Sequence, residues 1–140
     1  MTASHTYHMD EAVLDVPGGF EDRTTHALSW RGGETNLGLI VMRRPAPNGL
    51  DAAIDADVRD MRAKLKACVI DVDEPSDLGG GPARLVAIRY VREGAPFFHR
   101  QLAACLDGRL LTLIVAGPAA QRDVLESILE EAASSFRFRD

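Results

Sequence analysis

The sequence predicts an α+β fold, an α/β/α sandwich in which two principal helices pack on a mainly antiparallel β-sheet. Several segments alternate apolar and polar residues between turn signals, which is typical of strands, while two segments have helical spacing instead. The predicted strands follow one another directly as hairpins, which favours an antiparallel sheet over alternating parallel units. The 140 residues, 46% of them hydrophobic, suffice for one domain spanning 1–140.

The first third of the chain contains short apolar segments that predict strands. The segment 12–16 is closed by Pro17-Gly18-Gly19, a strong turn signal, and is interpreted as a first strand or as a hairpin arm together with 6–9. The last is rich in Leu, Ile and Val and is expected to end before Pro45 and Pro47, next to its antiparallel neighbour. These predicted strands are 6–9, 12–16, 23–30 and 36–42.

The segment after Asn48 changes to helical periodicity. Asn48 is available as the N-cap, and Asp51 falls in the first turn, where a carboxylate complements the helix dipole. The apolar residues are spaced by four, four, three and four positions, so they form one stripe of a helix. They are Leu50, Ile54, Val58, Met61 and Leu65.

The second half predicts four strands, then a helix and a closing strand. A loop is expected between Pro75 and Pro82, and Asp107-Gly108 is a preferred type I′ hairpin dipeptide. Glu93-Gly94 forms another turn, and the apolar positions after Pro118 have helical spacing. The predicted strands are 69–73, 83–92, 97–106, 109–116 and 136–138, and the helix includes 124–132.

The composition disfavours several classes of function. The net charge of −5 is spread evenly along the chain, so no basic block is available for nucleic acid. The longest nearly apolar run, 110–116, is far shorter than a membrane span of ~20 residues. Residues 1–20 have neither a basic region nor an apolar core typical of a signal peptide, so we expect a cytoplasmic protein without stable membrane insertion.

No motif for catalysis or for a metal is found. The four histidines form no helical pair at metal-ligand spacing, and the Gly79–Gly81 run lacks the Lys-Ser/Thr of a phosphate loop. The first turns of the first helix are acidic and its last turns are basic, as the helix dipole favours. Cys68 and Cys105 are interpreted as reduced, buried thiols, with pairing as the alternative. We therefore expect no enzyme, no cofactor and no metal.

Several short segments, in this order and spacing, resemble the DcrB-related family of the PsbP-like superfamily. They are 14–23 (LDVPGGFEDR), 36–43 (NLGLIVMR), 78–83 (LGGGPA), 100–102 (RQL), 107–109 (DGR), 116–118 (AGP) and 134–138 (SSFRF), together with the amphipathic helix. The resemblance spans nearly the whole chain. It implies the PsbP-like α/β/α sandwich.

Within that family, short members without a targeting segment are similar to the Eag-type chaperones of type VI secretion. Such chaperones shield the transmembrane segments of Rhs-type effectors before export, usually as homodimers. The resemblance implies that the hydrophobic N-terminal region of an effector binds a groove between two early strands, the first helix and the Arg-Gln strand. The implied positions are Thr25, Ala27, Gly38, Ile40, Met42, Asp57, Met61, Leu65, Phe97 and Gln101.

Two alternatives stay open from the residues alone. An amphipathic stripe normally packs on its own sheet, so Ile40, Met61 and Leu65 can be core residues instead of groove residues. Asp57 departs from an apolar groove, because an unpaired buried carboxylate costs several kcal/mol. The competing function is a non-catalytic small-ligand-binding or scaffold domain of the same fold, since fold does not determine function.

Overall fold

The computed structural model describes residues 4–8, 13–17, 25–30 and 37–137. Over these residues the chain forms eight strands and two helices, with one 3-10 turn (Ala119–Gln121) before the second helix. The strands are β1 (Ser4–His8), β2 (Val13–Pro17), β3 (Thr25–Trp30), β4 (Leu37–Pro45), β5 (Lys66–Leu78), β6 (Gly81–Arg92), β7 (Ala95–Leu106) and β8 (Arg109–Pro118). The helices are α1 (Leu50–Lys64) and α2 (Arg122–Ser135).

Six of the strands form one antiparallel sheet in the order β3-β4-β8-β7-β6-β5. The strands β5 to β8 are consecutive hairpins, and β3 and β4 join the free edge of β8. The predicted pairing of the two early strands is confirmed, with Ala27 opposite Ile40. The first two strands also pair as predicted, but they form a separate two-stranded sheet.

The helices lie on opposite faces of the large sheet, so the predicted sandwich is confirmed. Ile54 of α1 is fully buried in a cluster with Val86, Ile88, Ala103 and Leu110. Leu125 and Leu129 of α2 are buried in a second cluster on the other face, with Phe98, Leu102, Leu113 and Val115 among its members. The two faces are called the α1 face and the α2 face below.

The strand β6 is apolar on both sides because it has cover on both faces. Its consecutive residues Val86, Ala87 and Ile88 are all fully buried. Val86 and Ile88 belong to the cluster under α1, whereas Ala87 belongs to the cluster under α2. Adjacent residues of a strand point to opposite faces, so a run of buried residues requires cover on both sides of the sheet.

Two tight turns connect β6 to β7 and β7 to β8. The central residues have positive φ in both: 52° and 79° at Glu93 and Gly94, and 52° and 74° at Asp107 and Gly108. Positive φ at both central positions characterises the type I′ turn, whose twist matches that of the strands it joins. The turns predicted at both dipeptides are therefore confirmed.

Two strands are longer than predicted. The strand β4 continues past Met42 to Pro45, and β5 continues through Pro75 to Leu78. Because β5 is an edge strand, Pro75 can sit in it without leaving an interior ladder bond unmade. The predicted loop thus shrinks to a turn at Gly79-Gly80, where φ is 60° and 82°.

Two terminal features of the helices also differ from the prediction. The N-cap of α1 is Gly49, with φ of 91° and no side-chain cap hydrogen bond, so Asn48 does not cap the helix. After α2, Phe136 and Arg137 form no strand, while Phe138 lies outside the described residues. Gly18 and Gly19 of the first predicted turn also lie outside them.

The N-terminal half of α1 is held on the sheet by Arg84 of β6. Its guanidinium donates to both carboxylate oxygens of Asp73 on β5, at 2.9 and 3.0 Å. It also reaches Asp55 at 2.8 Å and Asp51 at 3.3 Å, both on α1. The carboxylates of α1 therefore do more than complement the helix dipole, because two of them form tertiary ion pairs with Arg84.

Cys68 and Cys105 are unpaired and lie in opposite parts of the α1-face cluster. Cys105 is opposite Leu110 beside the β7–β8 turn, whereas Cys68 lies near the start of β5, where Lys66 pairs with Val91. Burial raises the pKa of the Cys68 thiol, and the nearby Arg62 lowers it by a smaller amount. The two residues therefore occupy separate positions as small, partly buried side chains.

Candidate functional site

The strand positions implied by the family resemblance share one face of the sheet. The register places Ala27, Ile40, Ile114 and Gln101 in one row across β3, β4, β8 and β7. Residues directly opposite on adjacent strands project to the same face. The row continues to Val86, which packs under α1, so this is the α1 face.

The neighbouring rows contain the remaining strand positions. Thr25 lies opposite Met42, and Gly38 lies opposite Ala116. Phe97 is four residues from Gln101 on the same strand, so it faces the same way. All seven strand positions and the helix carrying Asp57, Met61 and Leu65 therefore lie on one side of the sheet.

The helix α1 covers only part of this face. A six-stranded sheet is roughly 24 Å wide at ~4.8 Å per strand spacing, whereas a helix with its side chains is ~10–12 Å across. The main contacts of α1 are with β5, β6 and β7. Apart from the end of β8 at Leu110, which is buried under α1, the α1 face of β3, β4 and β8 has no main contact with a described helix, and we call it the open half.

The open half is lined by small and apolar residues. Ile40, Met42 and Ile114 are half-buried, and none of them belongs to either buried cluster of the described residues. Thr25 and Ala27, at the outer strand, are exposed. Burying an exposed Ile or Met side chain contributes ~1.5–3 kcal/mol, so this surface is suited to an apolar partner.

The helix positions divide between core and open half. Met61 and Leu65 are half-buried and pack against the α1-face cluster, as the core interpretation expects. Ile40 lies outside that cluster, in the open half. The stripe on α1 therefore stabilises the protein's own core, and the strand residues supply most of the candidate surface.

Asp57 is not an unpaired carboxylate. It forms an ion pair with Arg44 of β4, with side-chain exposures of 19% and 33%. Arg44 lies opposite Leu110 of β8, so the pair bridges α1 and β4 across the strand between them. Pairing offsets the desolvation that a lone carboxylate would suffer here. The ion pair bounds one end of the open half.

Gln101 and His99 form a buried polar pair at the junction between α1 and the open half. Gln101 is 2% exposed, and its Oε1 accepts a hydrogen bond of 2.8 Å from His99 Nε2. Burial lowers the pKa of His99, while Gln101 and Asp57 oppose this shift. Within the described part of the chain, the buried Nε2 of Gln101 has no hydrogen-bond partner. Such an unpaired donor costs ~1–3 kcal/mol.

Phe97 and Phe98 point to opposite faces, as adjacent strand residues must. On the α1 face, the ring of Phe97 lies 5.9 Å from that of Tyr90 and 5.5 Å from the guanidinium of Arg92. On the other face, Phe98 is fully buried under Arg122, whose guanidinium lies 4.9 Å from the ring centroid. Phe97 thus borders the open half while Phe98 is core.

Sequence reasoning missed part of this surface. Ile114 and Ala116 were placed in a strand without a site role, because the position of β8 between β4 and β7 is a property of the sheet order. Arg44 was missed because its strand was expected to end at Met42. The period-two relation of His99 to Gln101 was available in the sequence, although their contact depends on side-chain conformation.

No group of three or more His, Cys, Asp or Glu side chains in the described ranges is arranged to hold a metal ion. Neither α1 nor α2 is long and apolar enough to cross a membrane. One pocket of about 310 Å³ lies on the α2 face, away from the open half.

Comparison with known families assigns the chain. The sequence profile of the DcrB family matches residues 11–135, nearly the whole length. The chain belongs to the DcrB family. A search of curated proteins finds no match for this DcrB-family chain.

Solved structures support the fold. PA94 from Pseudomonas aeruginosa, a protein of unknown function named as a candidate regulator, is 16% identical with a TM-score of 0.81, covering 98% of both chains. Cyanobacterial PsbP (CyanoP) from Synechocystis sp. PCC 6803 is 14% identical with a TM-score of 0.55, covering 99% of this chain and 94% of that one. The DcrB-family chain thus has the PsbP-like fold.

Proposed function

We propose that this DcrB-family protein is a cytoplasmic adaptor or chaperone for a type VI secretion effector of the Rhs type. It binds and shields the effector's hydrophobic N-terminal region, which contains transmembrane helices, before export. It acts as a homodimer and does so without catalysis, a metal or a cofactor. The family resemblance of the sequence suggests this role, and the following features of the α1 face support it.

The observation that carries the proposal is the buried, unpaired Nε2 of Gln101 beside an apolar sheet surface. An amide donor in such surroundings is stabilised when a partner supplies an acceptor. Transmembrane helices present Ser and Thr hydroxyls and occasional free carbonyls, which form hydrogen bonds between helices. Because Oε1 is occupied by His99, the NH2 group is left for the client.

The shape and side chains of the open half suit a helix. One helix already lies on this face, and the remaining width of about 12 Å accommodates a second one alongside it. Gly38 and Ala27 permit close approach of a helix backbone, and Met42 adapts to irregular surfaces. A client helix would thus complete the layer that α1 leaves half-filled.

The test is co-expression with the hydrophobic N-terminal region of a type VI effector encoded beside this gene. The wild-type chain should keep that region soluble and co-purify with it. Ile40→Asp places a charge in the open half and should abolish capture. Val124→Asp is the matched control, because Val124 is an apolar residue of α2 that is 38% exposed and lies on the other side of the sheet.

Gln101→Leu separates the polar contribution to client capture from the apolar contribution. It removes the amide at similar volume, so capture should weaken. Thermal stability should change little, because the unpaired Nε2 donor is lost together with the acceptor of His99. Capture that is lost equally with Val124→Asp, or kept with Ile40→Asp in a folded protein, would refute the proposed surface. Sedimentation of the purified chain tests the homodimer.

A further inference from the structure

The pocket on the α2 face has a built floor and an opening. It lies between the last two turns of α2 and the β5–β6 hairpin and has a volume of about 310 Å³. Leu78, Leu102 and Leu129, all at most 5% exposed, form its apolar floor with the half-buried Leu85 and Ala133. The pocket holds about ten times the ~30 Å³ of a water molecule in the liquid.

One basic side chain enters this apolar surface. Arg100 of β7 lines the pocket, and its side chain is only 18% exposed. Its nearest carboxylate is that of Glu126 on α2, where Nη1 and Oε1 are 3.8 Å apart, too far for a hydrogen bond. That same Oε1 accepts a hydrogen bond of 2.9 Å from Arg122.

The described residues therefore leave the hydrogen-bond donors of the Arg100 guanidinium unsatisfied. Among the described residues no side chain or carbonyl accepts a hydrogen bond from its guanidinium, which has five N–H donors in a planar fork. A buried guanidinium normally satisfies these donors with carboxylates or carbonyls, and the fork fits a carboxylate bidentately. The pocket therefore places a guanidinium that can bind a carboxylate next to an apolar floor.

We infer that this pocket binds a small carboxylate with an apolar body of about ten non-hydrogen atoms. The carboxylate pairs with Arg100, and the body packs on the leucines of the floor. Asp77 and Glu130, both exposed, also line the pocket and carry negative charge. They disfavour a second anionic group, so a monocarboxylate such as a medium-chain fatty acid fits better than a dicarboxylate.

This site is separate from the proposed client surface. Arg100 precedes Gln101 in β7, so the two side chains project to opposite faces of the sheet. The pocket also provides what the small-ligand alternative requires, a cavity with an apolar floor and a polar group that orients the ligand. Its test is therefore independent of the effector.

The experiment is a titration of the full chain with octanoate, octan-1-ol and octanedioate, followed by amide chemical shifts in NMR spectra. Octanoate should shift the amides around Leu85, Leu102 and Ala133. It should bind at least tenfold more tightly than octan-1-ol or octanedioate. Equal affinity for octanoate and octan-1-ol, shifts confined to the α1 face, or no saturable shift by octanoate would each overturn the inference.

Variants of Arg100 and Ala133 test how the charge and the cavity volume contribute to binding. Arg100→Met keeps the length of the side chain and should weaken octanoate binding at least tenfold while leaving octan-1-ol binding unchanged. Ala133→Leu narrows the pocket and should weaken both ligands. If Arg100→Met does not fold, Arg100→Lys retains a charge without the fork and should give an intermediate octanoate affinity. Wild-type affinity for octanoate in either folded Arg100 variant would contradict the assignment.

Discussion

Replacing Arg84 by Met should destabilise the protein by detaching α1 from β5 and β6. Arg84 is a suitable target because its side chain is only 15% exposed and it contacts three carboxylates. The hydrogen bond to Asp73 is the main cause that raises the pKa of Arg84 above its ordinary value. Met preserves most of the aliphatic packing, so the change reports mainly on the lost ion pairs.

The expected loss follows from the exposure of each partner. Asp73 is 28% exposed and bound through two parallel hydrogen bonds, so its pairing contributes about 1.5–2 kcal/mol. Asp55, at 57% exposure and 2.8 Å, contributes about 0.5 kcal/mol as a surface pair. Asp51, 86% exposed at 3.3 Å, adds almost nothing. The free energy of unfolding should therefore fall by about 2–2.5 kcal/mol.

The assay is urea unfolding followed by circular dichroism, with Lys64→Met as the matched control. Lys64 also forms an ion pair on α1, with Asp60 at 3.5 Å, but the two side chains are 74% and 70% exposed. Its loss should stay within about 0.5 kcal/mol. If Arg84→Met costs no more than Lys64→Met, the reasoning that burial and bidentate geometry set the strength of these pairs is wrong.

Three further predictions concern other sites. Arg44→Met and Asp57→Asn, combined in a double-mutant cycle of urea unfolding, should show a coupling of about 1 kcal/mol, and additive effects would mean that the ion pair adds no stability. Because burial lowers the pKa of His99 in the folded state, the unfolded chain binds its proton more readily, so stability should decrease as the pH falls below about 6.5. His99→Gln should lack this component, whose slope is at most about 1.4 kcal/mol per pH unit, and an unchanged pH profile would exclude His99 as its source. Glu93→Asn should stabilise the protein by about 0.5–1 kcal/mol in thermal melts, because Asn tolerates the φ of 52° better than Glu does. The same change at Glu131, inside α2, should be destabilising. A gain in stability at both sites would argue against the turn as the cause.

The open half and the Arg100 pocket arise from the same arrangement. A six-stranded sheet is about twice as wide as a helix, and each face has one described helix. The helix α1 packs on β5, β6 and β7, whereas α2 packs on β8, β7 and β4. Each helix therefore leaves part of its face uncovered, on opposite sides of the sheet. A single sheet thus offers two separate surfaces for partners.

Local periodicity and turn chemistry were sufficient to predict most elements of the fold. The spacing of Leu50 to Leu65 determines a helix, and Asp107-Gly108 determines a tight hairpin, because both depend only on neighbouring residues. The end of β5 was predicted too early, because Pro75 breaks interior strands and its edge position depends on the sheet order. The predicted closing strand does not form at Phe136 and Arg137.

The antiparallel sandwich could be predicted from the sequence, since hydrophobic period, turn dipeptides and chain length are local or additive properties. The family resemblance of its motifs also implied seven strand positions, and all of them lie on the α1 face. Which of those residues are core is known from the three-dimensional structure alone, because burial depends on where α1 lies across the sheet. The structure also supplied the partner of Asp57, the contact between His99 and Gln101, and the environment of Arg100. Each of these depends on pairing between residues far apart in the chain.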